Sequence, residues 1–118
     1  MVLVVDDHPQ LRQTAVSLLH VLGHQTLQAQ NAVEAEDHVR SRRGEIQVAL
    51  LDMNLGGHIG TDLAGRLERA SPGLRVLLMS GYQPEDLGEV GLEGRPFLGK
   101  PFSASALEAA LKRLVAAD

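Results

Sequence analysis

Four short apolar runs in this 118-residue sequence each end on a residue with chemistry to offer. Val2–Val5 runs into Asp6 and Asp7, residues 46–51 into Asp52, residues 74–79 into Ser80, and residues 96–99 into Lys100. In an open parallel sheet, ligands bind beyond the carboxyl ends of the strands. If the four runs are parallel strands, three carboxylates, a hydroxyl and an ammonium meet at one edge. Like charges brought together disfavour their own ionised forms unless a cation compensates. An all-oxygen set with no cysteine suits a hard ion such as Mg²⁺ (or Mn²⁺), which takes a few carboxylates, water and a phosphate oxygen. Lys100 adds a second positive charge for the same phosphate and Ser80 a hydrogen-bond donor. Such a site can stabilise a phosphoryl group during its transfer to a carboxylate.

Each residue also has an ordinary reading. An acidic pair after a strand often makes a turn or a helix cap, and Ser80 alone reads as a turn residue. Lys100 is more telling: it is one of two lysines and lies between an apolar run and Pro101, not on a charged helix face. The combination, spread over four strand ends, carries the inference.

The elements that would position these residues follow from periodicity. Strand-like runs alternate with helical spacing, the signature of an α/β fold with a parallel sheet. After Asp6-Asp7-His8, Pro9 suits a first helical turn. Leu11, Ala15, Leu18, Leu19 and Leu22 recur at helical spacing, and Gly23 is a stop. Residues 25–30 form a weak, polar strand, expected at the sheet edge. Asn31 and Glu34 make a capping box for a helix reaching about Ser41. A Gly-rich loop (Gly56, Gly57, Gly60) leads to Thr61 as a helix cap, with Leu63, Ala64 and Leu67 facing inward. Residues 84–92 predict a short helix, weakened by Gly88 and Gly91 at about 1 kcal/mol each relative to Ala. The last helix starts near Ser103, with Leu107, Leu111 and Leu114 inward. Five strands and five helices in strict alternation imply one doubly wound domain over residues 1–118, with no repeat and no linker.

Composition narrows the function classes. Hydrophobic residues make up 44%, enough for a core, but Tyr82, Phe97 and Phe102 are the only aromatics, so Leu, Val and Ala must build it. A net charge of −4 argues against direct nucleic-acid binding, which needs a basic face. The absence of cysteine removes disulfides and thiolate metal sites. No apolar run approaches the roughly 20 residues that span a bilayer, and no signal-peptide pattern opens the chain, so a cytoplasmic module without membrane contact is expected. The five histidines suggest no metal pair, and His8 and His58 read as surface polarity, with proximity to the site as the alternative.

The residues now resemble the receiver domain of two-component signalling (CheY-like) over essentially the whole chain. The resemblance rests on Val-Val-Asp-Asp with Pro9 two residues later, Ala-Leu-Leu-Asp at 49–52, Leu-Leu-Met-Ser-Gly-Tyr at 77–82, and Lys-Pro-Phe-Ser at 100–103. It implies a flavodoxin-like, five-stranded sheet of order 2-1-3-4-5. It further implies that Asp52 takes a phosphoryl group from the phosphohistidine of a histidine kinase or histidine phosphotransfer domain. Asp7 would ligate Mg²⁺ directly, Asp6 mainly through water, and Asp52 with the main-chain carbonyl of Asn54 would complete the protein ligands. Lys100 would bind one phosphoryl oxygen and Ser80 another, Ser80 moving inward on phosphorylation. Phe97 holds the family's switch position, with ordinary core packing as its alternative. The switched face would be the fourth helix, fifth strand and fifth helix, also the expected surface of any homodimer. Asn54 and Tyr82 occupy positions that tune phosphate loss, and a bulky Tyr82 suggests slow hydrolysis. Gly81 leaves space for the donor.

The sequence departs from the family at Gly56, where a proline is usual, which predicts a looser loop after Asp52. Ser80 replaces the commoner threonine. The Met-Ser-Gly-Tyr and Lys-Pro-Phe-Ser wording is most similar to receivers of hybrid sensor histidine kinases, and the ending agrees with a chain end. A stand-alone protein remains the alternative. No independent turnover enzyme is expected of this domain, which assists its own phosphorylation and dephosphorylation; a parent chain may be a kinase. Three rivals stand beside this reading. A haloacid-dehalogenase-type phosphatase needs a second Asp where Asn54 stands. A flavin carrier needs a phosphate cradle where Asp6-Asp7-His8 would repel one. A receiver-like interaction domain that accepts no phosphate would normally have lost an acid or the lysine.

Overall fold

The computed structural model describes residues 1–52, 54–55, 58–80, 96–99 and 102–116. Five strands make one parallel sheet: β1 (Val2–Val5), β2 (Thr26–Ala29), β3 (Val48–Asp52), β6 (Arg75–Ser80) and β7 (Phe97–Gly99). Their order is β2-β1-β3-β6-β7, which is 2-1-3-4-5 counting these five alone, a flavodoxin-like arrangement. Four helices occur among the described residues: α1 (Pro9–Val21), α2 (Ala32–Ser41), α3 (Gly60–Ala70) and α4 (Ala104–Ala116). The helix expected at residues 84–92 lies outside the described residues.

Strand alternation divides the core between the two faces of the sheet. Leu3, Val5, Ala49, Leu51, Val76 and Leu78 pack with Ala35 and Val39 of α2 and Leu63, Ala64 and Leu67 of α3. Val2, Val4, Val48, Leu50, Leu77 and Met79 pack with Ala15, Val16 and Leu19 of α1 and Leu107, Leu111 and Leu114 of α4. Phe102 lies at the margin of this second cluster, so aliphatic side chains carry both layers. Strands buried on both faces explain why β1, β3 and β6 read as unbroken apolar runs. The polar β2 is the edge strand, as its sequence predicts.

The helix ends follow local chemistry. Pro9 occupies the first turn of α1. At its far end Gly23 adopts φ +90°, its N–H donates to His20 O at 3.0 Å, and His24 N–H donates to Leu19 O at 2.9 Å. These two bonds are a Schellman closure, which favours glycine at the left-handed position. Asn31 caps α2 by accepting from Glu34 N–H at 2.8 Å. Glu34 reaches back to Gln30 N–H at 3.1 Å, one residue earlier than a strict capping box. Ser103 Oγ caps α4, accepting from Ala106 N–H at 3.1 Å.

Three expectations are corrected. Leu11 is 46% exposed, not part of the inner stripe. It sits in the first turn of α1, at the carboxyl edge of the sheet, where little strand surface remains to cover it. The stretch expected as an open loop after Asp52 contains two paired two-residue strands, β4 (Asn54–Leu55) and β5 (His58–Ile59), in an antiparallel ladder. Gly56 and Gly57, between them in sequence, lie outside the described residues; a Gly-Gly pair is suited to a two-residue reversal. Thr61 is inside α3, because the helix starts at Gly60 directly after β5.

Candidate functional site

Strand register places the site residues. Val5 pairs with Leu51, so Asp6 and Asp52, one residue further on each strand, stand level. Asp52 pairs with Met79, and Ser80 follows it; Ser80 pairs with Gly99, and Lys100 follows that in sequence. The chemistry-bearing residue therefore advances by one position in register from β3 to β6. Lys100, Gly81 and Tyr82 lie outside the described residues. The main chains of Asn54 and Phe97 are placed, Asn54 opposite Ile59 in the small ladder and Phe97 opposite Leu78, but their side chains lie outside the described residues.

Asp6 is fully buried, Asp52 is 6% exposed and Ser80 2% exposed. Ligand atoms of Asp6, Asp7, His8 and Asp52 all lie within 4.8 Å of one another. At an effective dielectric of about 20, two carboxylate charges at such a distance repel by roughly 3–4 kcal/mol. The amino end of α1, directly after Asp6-Asp7-His8, offsets part of this, but a helix dipole contributes only about 0.3–1 kcal/mol. The carboxylates therefore call for a cation. Their oxygens suit a hard divalent ion, and Asp6, Asp7 and Asp52 are the residues that could hold one.

Sequence reasoning ranked one residue too low and missed another. His8 is 67% exposed, yet its Nδ1 lies 3.1 Å from Asp7 Oδ1 and 3.5 Å from Asp6 Oδ1, so it belongs to the cluster and not to general surface polarity. Its main-chain N–H donates to Asp6 Oδ1 at 2.9 Å, closing an Asx turn that aims the buried carboxylate. The signal was there in an Asp two residues before the helix N-cap His8, a usual Asx-turn site. The second is Arg12, whose Nη1 donates to Asp6 O at 2.9 Å and whose Nε donates to Gln28 Oε1 at 3.0 Å. No sequence spacing announces that contact.

A parallel sheet of this order with buried acids at the ends of β1 and β3 defines a flavodoxin-like α/β module with an acidic site at the carboxyl edge of its sheet. The chain belongs to the response regulator receiver domain family, whose sequence profile matches residues 2–112. It is 29% identical to the sporulation initiation phosphotransferase F of Bacillus subtilis, across 95% of this chain and 90% of that protein. It is 30% identical to the phosphate regulon transcriptional regulatory protein PhoB of Pseudomonas aeruginosa, across 97% of this chain but 51% of that protein, so it spans about half the length of that relative. The crystal structure of the receiver domain of NtrX from Brucella abortus superposes with a TM-score of 0.87 at 27% identity, over the whole of both chains. No helix among the described residues is long and apolar enough to cross a membrane.

Proposed function

We propose that residues 1–118 form one receiver domain in which Asp52 accepts a phosphoryl group from a phosphohistidine of a histidine kinase or phosphotransfer domain, in the cytoplasm. The observation that carries this reading is the clustering of buried Asp6 and Asp52 with Asp7 inside 4.8 Å, beside buried Ser80. Asp52 is the nucleophile: a carboxylate oxygen attacks phosphorus in line, the phosphorus–nitrogen bond breaks, and the donor imidazole leaves with the electron pair and takes up a proton. Bound Mg²⁺ would neutralise charge on the acids and on the phosphoryl oxygens. Asp7 would hold it directly, Asp6 through water, and Asp52 with the main-chain carbonyl of Asn54 would complete the protein ligands. Ser80 donates to one phosphoryl oxygen and Lys100 pairs with another. Phe97 then relays the change to the face that includes β7 and α4, a local charge change biasing a two-state element. Asn54 and Tyr82 govern how readily water reaches the acyl phosphate, and Gly81 leaves room for the donor.

The Asn54 side chain, an amide where a phosphatase of the dehalogenase type needs an acid, supports acceptance over turnover. The test is binding of a beryllofluoride mimic with Mg²⁺, followed by amide NMR. Shifts centred on Asp52 and Ser80 that spread to Phe97 are expected, and Lys100→Ala should sever that spread. A spectrum unmoved by the mimic in the wild-type protein contradicts the proposal.

A further inference from the structure

We infer that Arg12 is a positioning residue for the acidic site, setting the direction of Asp7 through the main chain of Asp6; the inference rests on the proposed cation site. Asp6 N–H donates to Ala29 O at 3.1 Å, so the backbone of Asp6 faces β2, and its carbonyl points the same way. At that level β2 has ended at Ala29 and Asn31 is already the N-cap of α2. The donor that reaches Asp6 O is Arg12 Nη1, at 2.9 Å. The carbonyl of Asp6 and the N–H of Asp7 share one rigid peptide plane. Holding that oxygen therefore fixes the plane from which the Asp7 side chain departs. Asp7 is the exposed acid of the pair, with a side chain 36% exposed, and has the most orientations to lose.

The guanidinium is itself held. Its Nε donates to Gln28 Oε1 at 3.0 Å, so Arg12 spans from the end of β1 to the edge strand. Two donors in one planar fork give Arg12 a geometry that lysine does not reproduce. The main chain of Asp6 is then tied on two sides, by Ala29 O and by Arg12, while the His8 N–H holds its carboxylate. Arg12 acts by geometry here, since its charge alone would repel a cation.

The test is Mg²⁺ titration by calorimetry, joined to ¹⁵N relaxation of metal-free protein. Arg12→Ala and Arg12→Lys should each weaken Mg²⁺ binding roughly tenfold, in the range seen when the partners of metal ligands are removed. Gln28→Ala, which frees one arm, should weaken it less. Ala15→Gly destabilises α1 without touching either bond and should leave affinity unchanged. In the metal-free protein the order parameter of the Asp7 amide should fall in both Arg12 variants. Unchanged affinity in Arg12→Lys, tighter binding in Arg12→Ala, or an equal loss in Ala15→Gly would overturn the inference. If the wild-type protein binds no Mg²⁺, the cation reading fails by itself, and the Asp7 relaxation decides whether Arg12 still orders the turn.

Discussion

Asp6 and Asp52 stand level on neighbouring parallel strands, one residue beyond the Val5–Leu51 pair, and both are buried. Two buried carboxylates side by side are unfavourable unless something positive joins them. That relationship predicts that a bound cation raises the stability of the domain.

Asp7→Asn should therefore have opposite effects in two conditions. In chelator it removes one of three crowded charges and should raise stability, by roughly 1 kcal/mol for an acid partly in water. It should also abolish the increase in melting temperature that Mg²⁺ gives the wild-type protein through binding to the native state. Thermal melts with and without Mg²⁺ check both effects. A variant less stable than wild type in chelator would count against crowding.

The start of α2 predicts an acid-sensitive element. Main-chain and side-chain hydrogen bonds from Gln30 hold the Glu34 carboxyl below its ordinary value of 4.5, with His38 and Arg12 adding attraction. A lowered value means the contribution is present above 4.5 and lost as pH falls through the folded-state value. Glu34→Gln should remove that contribution, lowering stability at neutral pH towards the acid value and so flattening the profile around and below about pH 4.5, read by urea unfolding. Asn31→Ala should lower stability by about 1 kcal/mol across the range.

Core and surface leucines should separate cleanly. Leu50 is fully buried at the centre of β3, and Leu50→Ala should lose about 2–5 kcal/mol through transfer and cavity terms. Leu11→Ala, at a half-exposed position, should change stability by no more than about 0.5 kcal/mol. Equal losses in chemical denaturation would mean that α1 sits differently on the sheet.

Gly23 tests the close of α1. A Cβ there would meet no atom within 4 Å, so any penalty comes from its φ of +90° alone. Gly23→Ala should lower stability by about 1–2 kcal/mol, measured by thermal unfolding.

Much of this was legible in the sequence because burial on both faces leaves apolar runs, and the residues ending them are conspicuous. Asp6, Asp52 and Ser80 were found that way, and the polarity of β2 marked it as the edge. The hairpin of β4 and β5 was not, since two-residue strands are too short to show alternation. Leu11 misled because helical spacing shows which side of α1 faces inward, not where the sheet beneath it stops. Arg12 escaped notice and His8 was read mainly as surface polarity, because their contacts depend on the turn after Asp6 and on where β2 ends, both tertiary facts. Lys100 was read from its place after an apolar run, and it lies outside the described residues.

The most direct measurement is intact-mass analysis after incubation with acetyl phosphate and Mg²⁺, with peptide mapping of the product. The account predicts the gain of one phosphoryl group on Asp52, lost in Asp52→Asn and lost when Mg²⁺ is chelated. A wild-type protein that gains no mass, or a label that survives Asp52→Asn, would contradict it.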